Sequence, residues 1–187
     1  MIHLTLHTLG LTEALLEEAL TQAAAAFSKM VNDTIVVRQF TFQQFHFDSL
    51  SLAWIGAEQG SYVLNTQIKG DLKGDSYLLF ASKEVVKVFH VIQTSEATVV
   101  TQALTEFQKA LLLEIDNVFT AALVTPLANH SGVFTYGDVP YLHYVAEGQP
   151  LIRLDPVFFN TSVVTQIYAE LRSATTGLTA AFVCFFP

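Results

Sequence analysis

The chain has 187 residues, 51% of them hydrophobic, which is enough for one globular domain with a sizeable core. Seventeen Asp plus Glu against nine Lys plus Arg leave a net charge of −8, and this excludes non-specific binding to a nucleic-acid backbone. No run of 18 uninterrupted apolar residues occurs and the first residues lack a basic segment with a cleavage site, so neither membrane insertion nor export is expected and a cytoplasmic location is.

In chain order, residues 1–9 alternate as a strand that places His3 and His7 on one face, two ligands short of a metal site. His46, His90, His130 and His143 have no partner at ligand spacing. A helical pattern then starts at Thr12, continues through Phe27-Ser-Lys-Met-Val31 and ends at Asn32. The aromatic run Phe40-Thr-Phe-Gln-Gln-Phe-His-Phe47 reads as core-packing strand, because Arg38 is the only nearby cation for a base-stacking surface. Its alternation slips at Gln43-Gln44, which predicts a bulge there. A hairpin follows over Leu64–Phe80. Its Gly70–Ser76 segment lacks Gly-Lys-Ser/Thr and is a turn rather than a phosphate loop.

Ser82–Ile92 reads as a connector helix, with Ser82 and Glu84 suited to its start. From Thr101 to Leu123 there is no Gly or Pro, so the pattern predicts a helix of more than twenty residues reaching Leu127-Ala128 and ending at Gly132. Pro126 is expected to kink or end it around Leu123–Thr125. A second hairpin spans Ile167–Phe185. The closing strand Ala180–Phe186 either pairs with another copy at a sheet edge, giving a homodimer, or lies inside the sheet. Cys184 within it, the single cysteine, has no disulfide partner and reads as a buried thiol.

Two halves repeat this order of helix and hairpin. Phe27 corresponds to Leu127 and Asn32 to Gly132 at an offset of 100, and Gly74 corresponds to Gly177 at 103. The predicted architecture is therefore a single α+β domain over 1–187, with an internal repeat of approximately 11–80 and 101–187 and a connector helix at 82–93. Two pseudo-symmetric αβ halves share an antiparallel sheet covered by long helices.

Glu114 and Asn117 interrupt the otherwise apolar Leu111-Leu-Leu-Glu-Ile-Asp-Asn-Val-Phe119 one helical turn apart. At about 100° per residue they share a face with Ala103, Phe107, Ala110, Leu111, Val118 and Ala121, while Leu112, Ile115, Phe119 and Leu123 form the opposite stripe. One stripe faces a core. Two readings of the pair stay open on spacing alone: internal hydrogen bonding, or a polar centre in an apolar docking surface.

Glu114-Ile-Asp-Asn-Val-Phe119 resembles the Glu-x-x-Asn helix of the CheC/CheX/FliY family of chemotaxis phosphatases, and Gly70-Asp-Leu-Lys-Gly-Asp-Ser-Tyr-Leu-Leu-Phe80 resembles that family's strand-turn-strand. With the two-half layout, the resemblance spans most of the chain. It implies a phosphatase of the aspartyl phosphate on a CheY-like response regulator, in chemotaxis or two-component signalling, with Glu114 and Asn117 as catalytic residues. It implies no cofactor of the chain's own, since the Mg2+ is carried by the regulator. Asn117 would orient a water for in-line attack, and Glu114 would bind the regulator's active-site lysine. The offset of 100 puts Ala14 and Glu17 at the equivalent positions of the first helix, so a single, CheX-like site is expected. Asp116, where the family has a small residue, and Pro126 depart from the pattern. Asp116 is expected to point away from the pair and to weaken docking of an acidic partner. The alternative on the same fold is a non-catalytic module that binds a response regulator or another signalling protein.

Overall fold

The computed structural model describes residues 10–46, 60–92, 104–152 and 163–187. The proposed histidine strand at 1–9, Ala103 and Phe47 lie outside them. The described residues form three helices and seven strands in the order α1 (Glu13–Val31), β1 (Ile35–His46), β2 (Ser61–Gly70), β3 (Gly74–Ala81), α2 (Ser82–Ile92), α3 (Glu106–Ser131), β4 (Thr135–Gly137), β5 (Tyr141–Val145), β6 (Val163–Ser173) and β7 (Thr179–Phe186).

Local chemistry sets the helix limits. Thr12 caps α1 by accepting from the Leu15 N–H, and Asn32 closes it in the left-handed region at φ 47. α3 begins with a reciprocal capping box: Thr105 Oγ1 accepts from Gln108 N at 3.2 Å, and Gln108 Oε1 accepts from Thr105 N at 2.9 Å. That box stops the helix short of the Thr101 start expected from composition. Pro126 does not end it. α3 continues to Ser131 and closes at Gly132, φ 65, because Leu123, Val124 and Leu127 are buried on both sides of the proline and hold the helix in register. Thr125 Oγ1 also donates to the Ala121 carbonyl in that turn.

The strands form one antiparallel sheet in the order β1-β6-β7-β3-β2-β4, with β5 also on β2. Each half lends its hairpin to the other half's outer strands. β1 pairs with the β6–β7 hairpin, and β4 with β5 pairs with the β2–β3 hairpin. The helix ends repeat this exchange. Asp33, just past α1, accepts from Thr175 and Thr176 in the β6–β7 turn, and Asp71 in the β2–β3 turn accepts from Phe134 N, just past α3.

β7 lies between β6 and β3 in the middle of the sheet. Pairing of this strand with another copy is thereby ruled out: both its edges are already used, and Phe182, Val183, Cys184, Phe185 and Phe186 are all buried. Burial pushes the Cys184 thiol well above its usual range. The register slip in β1 falls between Val37 and Gln39, not at Gln43-Gln44, which pair regularly with Gln166 and Thr165. There the side chains supply cross-strand partners, Gln43 to Gln166 and Gln44 to Thr165, and the ladder stays in step.

α1 and α3 pack on each other and on one sheet face. Ala19, Ala23 and Ala24 keep α1 slim at the contact, and α3 buries the row Leu112, Ile115, Phe119, Leu123. Each such residue contributes about 1.5–3 kcal/mol. By length and composition α3 is apolar enough to cross a membrane, but here this row is core.

Candidate functional site

The row that buries α3 dictates what its far side shows. With Ile115 and Phe119 fixed inward, Glu114 and Asn117 emerge together on the outer face, both exposed. Neither has a hydrogen-bond or ion-pair partner among the described residues, and i,i+3 spacing holds their Cβ atoms roughly 5–6 Å apart. The inward reading of the pair is therefore not the one the fold adopts.

Around the pair, Phe107 is 59% exposed, Ala110 and Ala121 are exposed, and Leu111 and Val118 are half-buried. The rim is thus apolar, with one aromatic ring a turn or two from the carboxylate. Lys109 is tied to Glu106 at 2.7 Å, leaving Glu114 as the unpaired charge at the centre. Ala14 and Glu17, the equivalent positions on α1, are also exposed, but as a methyl and a carboxylate they offer neither a lysine ligand nor a neutral amide.

Asp116 is not on this surface. It is fully buried, whereas the sequence led to the expectation that it weakens docking of an acidic partner. Its side of α3 is covered by β2, β3 and β4. Thr66 Oγ1 donates to Asp116 Oδ2 at 2.6 Å, Ser76 Oγ donates to the Thr66 carbonyl at 3.0 Å, and Ser76 and Thr120 hydroxyls lie 3.4 Å apart. Gly137 lets β4 close over them: a Cβ there would stand 3.0 Å from Thr120 Cγ2 and 3.2 Å from Thr66 Cγ2. Burial pushes the Asp116 carboxyl up to about 7, against the opposing hydrogen bond from Thr66. Sequence reasoning missed this cluster. Its one signal was the helix-face alternation of β2, where Leu64, Thr66 and Ile68 share a side.

Among the described residues no group of three or more His, Cys, Asp or Glu side chains is arranged to hold a metal. What the α3 face can do is bind and orient. A carboxylate can hold a cation, and an amide beside it can both donate to and accept from a bound water or phosphoryl oxygen without titrating.

The fold that carries this face is the one shared by FliY, CheC-like and CheX proteins. FliY of Thermotoga maritima superposes with a TM-score of 0.70 at 16% identity, covering 98% of this chain and 91% of its own. A CheC-like superfamily protein of Shewanella sp. PV-4 gives 0.61 at 13% identity over 94% of this chain and 99% of its own, and the chemotaxis protein CheX of Desulfovibrio desulfuricans gives 0.56 at 13% over 92% and 99%. No family model and no curated protein matches the sequence. At such identities the likeness is one of fold.

Proposed function

We propose that this chain is a cytoplasmic phosphatase that hydrolyses the aspartyl phosphate of a CheY-like response regulator, in chemotaxis or another two-component pathway. The observation that carries the reading is the joint exposure of Glu114 and Asn117, partnerless and one turn apart, on an apolar-rimmed helix.

An acyl phosphate is labile, so a helper protein need supply position and charge complementarity rather than a nucleophile. Asn117 enters the regulator's site and holds a water in line with phosphorus, its carbonyl oxygen accepting from the water while its amide donates to a phosphoryl oxygen. Glu114 binds a lysine beside the phosphoaspartate and fixes the register of the two surfaces. Phe107, Ala110 and Ala121 exclude bulk water around them. The Mg2+ that neutralises the phosphoryl group belongs to the regulator.

The test is single-turnover dephosphorylation of a phosphorylated regulator. Asn117→Ala is expected to slow hydrolysis on the order of a hundredfold, the scale for losing one oriented polar group. A variant as fast as wild type, with binding intact, would leave a non-catalytic module that docks a signalling partner through the same face.

A further inference from the structure

Asp116 sits between Glu114 and Asn117 in sequence but on the opposite side of the helix, and its environment is unusual for a carboxyl group. Oδ2 has one partner, the Thr66 hydroxyl at 2.6 Å, and buried Oδ1 has none. Among the described residues no cation pairs with it. Thr66 and Ser76 stand on the helix-facing side of the sheet, and the Ser76 hydroxyl in turn lies near that of Thr120, one turn further along α3.

Strand alternation sends the charged groups of the surrounding elements elsewhere. On β2 Thr66 shares a face with Leu64 and Ile68, so Lys69 lies on the other face, paired with Asp138. On β3 Ser76 shares that inner face with Leu78 and Phe80, and Asp75 falls with Tyr77 and Leu79 on the outer one. The registers place Tyr136 of β4 opposite Lys69 and His143 of β5 opposite Val63, again outer positions. α1 buries only Leu, Ala, Phe and Val toward the core. On α3 itself, Glu114 is exposed on the far side. An ionised Asp116 would thus be a buried charge with a single hydrogen bond, which the fold does not tolerate without cost.

We propose that Asp116 is held in the core as the neutral acid and is the positioning residue that seats the Glu114–Asn117 turn of α3 against Thr66 on β2; ionising it leaves a buried charge with one hydrogen bond, and that cost, which the Thr66 bond only partly offsets, loosens the turn. The residue is in contact with no reacting atom. It acts through the helix, by setting how far Asn117 projects. That consequence for hydrolysis rests on the phosphatase reading above; the seating itself does not.

The sign follows from linkage. The carboxyl's folded value, about 7, lies above its ordinary 3.8, so the folded state keeps a proton that the unfolded state has lost over that window. Stability falls as pH rises from about 4 toward 7 and levels off above. Urea unfolding of wild type and Asp116→Asn, measured from pH 5 to 8.5, reads this directly. The wild-type unfolding constant should grow relative to that of the variant by about tenfold per pH unit up to the plateau, the slope for one proton. A ratio constant with pH overturns the proposal. Should Asp116→Asn fail to fold, Thr66→Val serves: removing the donor that favours the charged form must move the plateau to higher pH, and an unmoved plateau is likewise fatal.

A second measurement follows the side-chain amide resonance of Asn117 in the same buffers. It should titrate with the unfolding plateau in wild type and stay put in Asp116→Asn; a purely local buried acid would leave it unmoved in both. Dephosphorylation by wild type should decline over that pH range while the variant's profile stays flat. If Asn117→Ala hydrolyses normally, the phosphatase reading fails, and the unfolding and amide titrations still decide the role of Asp116.

Discussion

At the residue scale, Glu114 and Asn117 differ in what they can contribute. Asn117 is neutral at every accessible pH, so under the proposed function its worth lies in orientation, and its loss is expected to fall on the chemical step. Glu114 is a charge with no ion-pair partner of its own among the described residues, and under the proposed function its worth lies in finding and holding a cation on another molecule. Glu114→Gln keeps shape and removes charge. It is expected to raise KM for a phosphorylated regulator about tenfold, flatten the salt dependence of docking and leave kcat within a few-fold, as a charge that holds the partner's lysine acts on binding rather than on the chemical step. Steady-state kinetics at 50 and 300 mM salt check this; a loss confined to kcat would contradict it. The pair was legible in the sequence because a carboxylate and an amide at i,i+3 in an apolar helix are conspicuous. Asp116 was misjudged for a related reason. Helix angles gave its direction correctly as away from the pair, but they say nothing of what covers that side, and the cover comes from Thr66 and Gly137 in other elements.

At the element scale, the ends of α1, α2 and α3 show which boundaries local sequence controls. Thr12, Asn32, Ser82 and Gly132 mark termini that a single sequence reveals, because caps are chemistry between neighbours. The Thr105 start was hidden, since residues 101–104 also lack helix breakers, and the proline inside α3 was misread because tertiary burial of Leu123 and Leu127 outweighs the roughly 3 kcal/mol that a lost helical bond and ring clash cost. Glu84 shows the same override. Besides sitting in the first turn of α2, it is buried, accepts from Thr179 N at 2.8 Å and takes Lys87, so it anchors the start of β7.

Asp33 makes an element-scale prediction. Burial pushes its carboxyl up, but hydrogen bonds from Ser173, Thr175 and Thr176 outweigh that and bring it down to about 2. A depressed value stabilises the folded state above the unfolded pKa near 3.8, and this contribution is lost as pH falls toward 2. Asp33→Ala should therefore unfold at lower urea than wild type at pH 6, with the gap narrowing as pH drops from 4 to 2. A gap independent of pH would mean that the tie between α1 and the β6–β7 turn owes nothing to the charge.

At the scale of the whole molecule, the sheet order reads alike from both edges, outer strand, hairpin, hairpin, outer strand, and the two hairpins meet at the β7–β3 seam. The repeated helix-then-hairpin order in the sequence foreshadowed a shared sheet, but not that each half would clasp the other's hairpin, because strand pairing between residues from 65 apart (Gly70 with Thr135, 135 − 70) to 138 apart (Ile35 with Ser173, 173 − 35) leaves no local trace. This is why β7 looked equally suited to an edge. Its composition in fact fits a central strand, apolar on both faces: Phe182, Cys184 and Phe186 join the core under the helices, and Val183 and Phe185 join the cluster on the opposite face. Phe182 also stacks on Phe119 of the site helix, ring centroids 5.0 Å apart, so the seam that joins the halves bears directly on α3. Phe182→Ala should cost about 3–5 kcal/mol, the range for truncating a fully buried aromatic ring. Urea unfolding would register that loss, and sedimentation would show an unchanged mass, since a central strand holds one chain together rather than two. A change of mass with little loss of stability would instead return β7 to an interface between copies and undo the sheet order on which the placement of Glu114 and Asn117 depends.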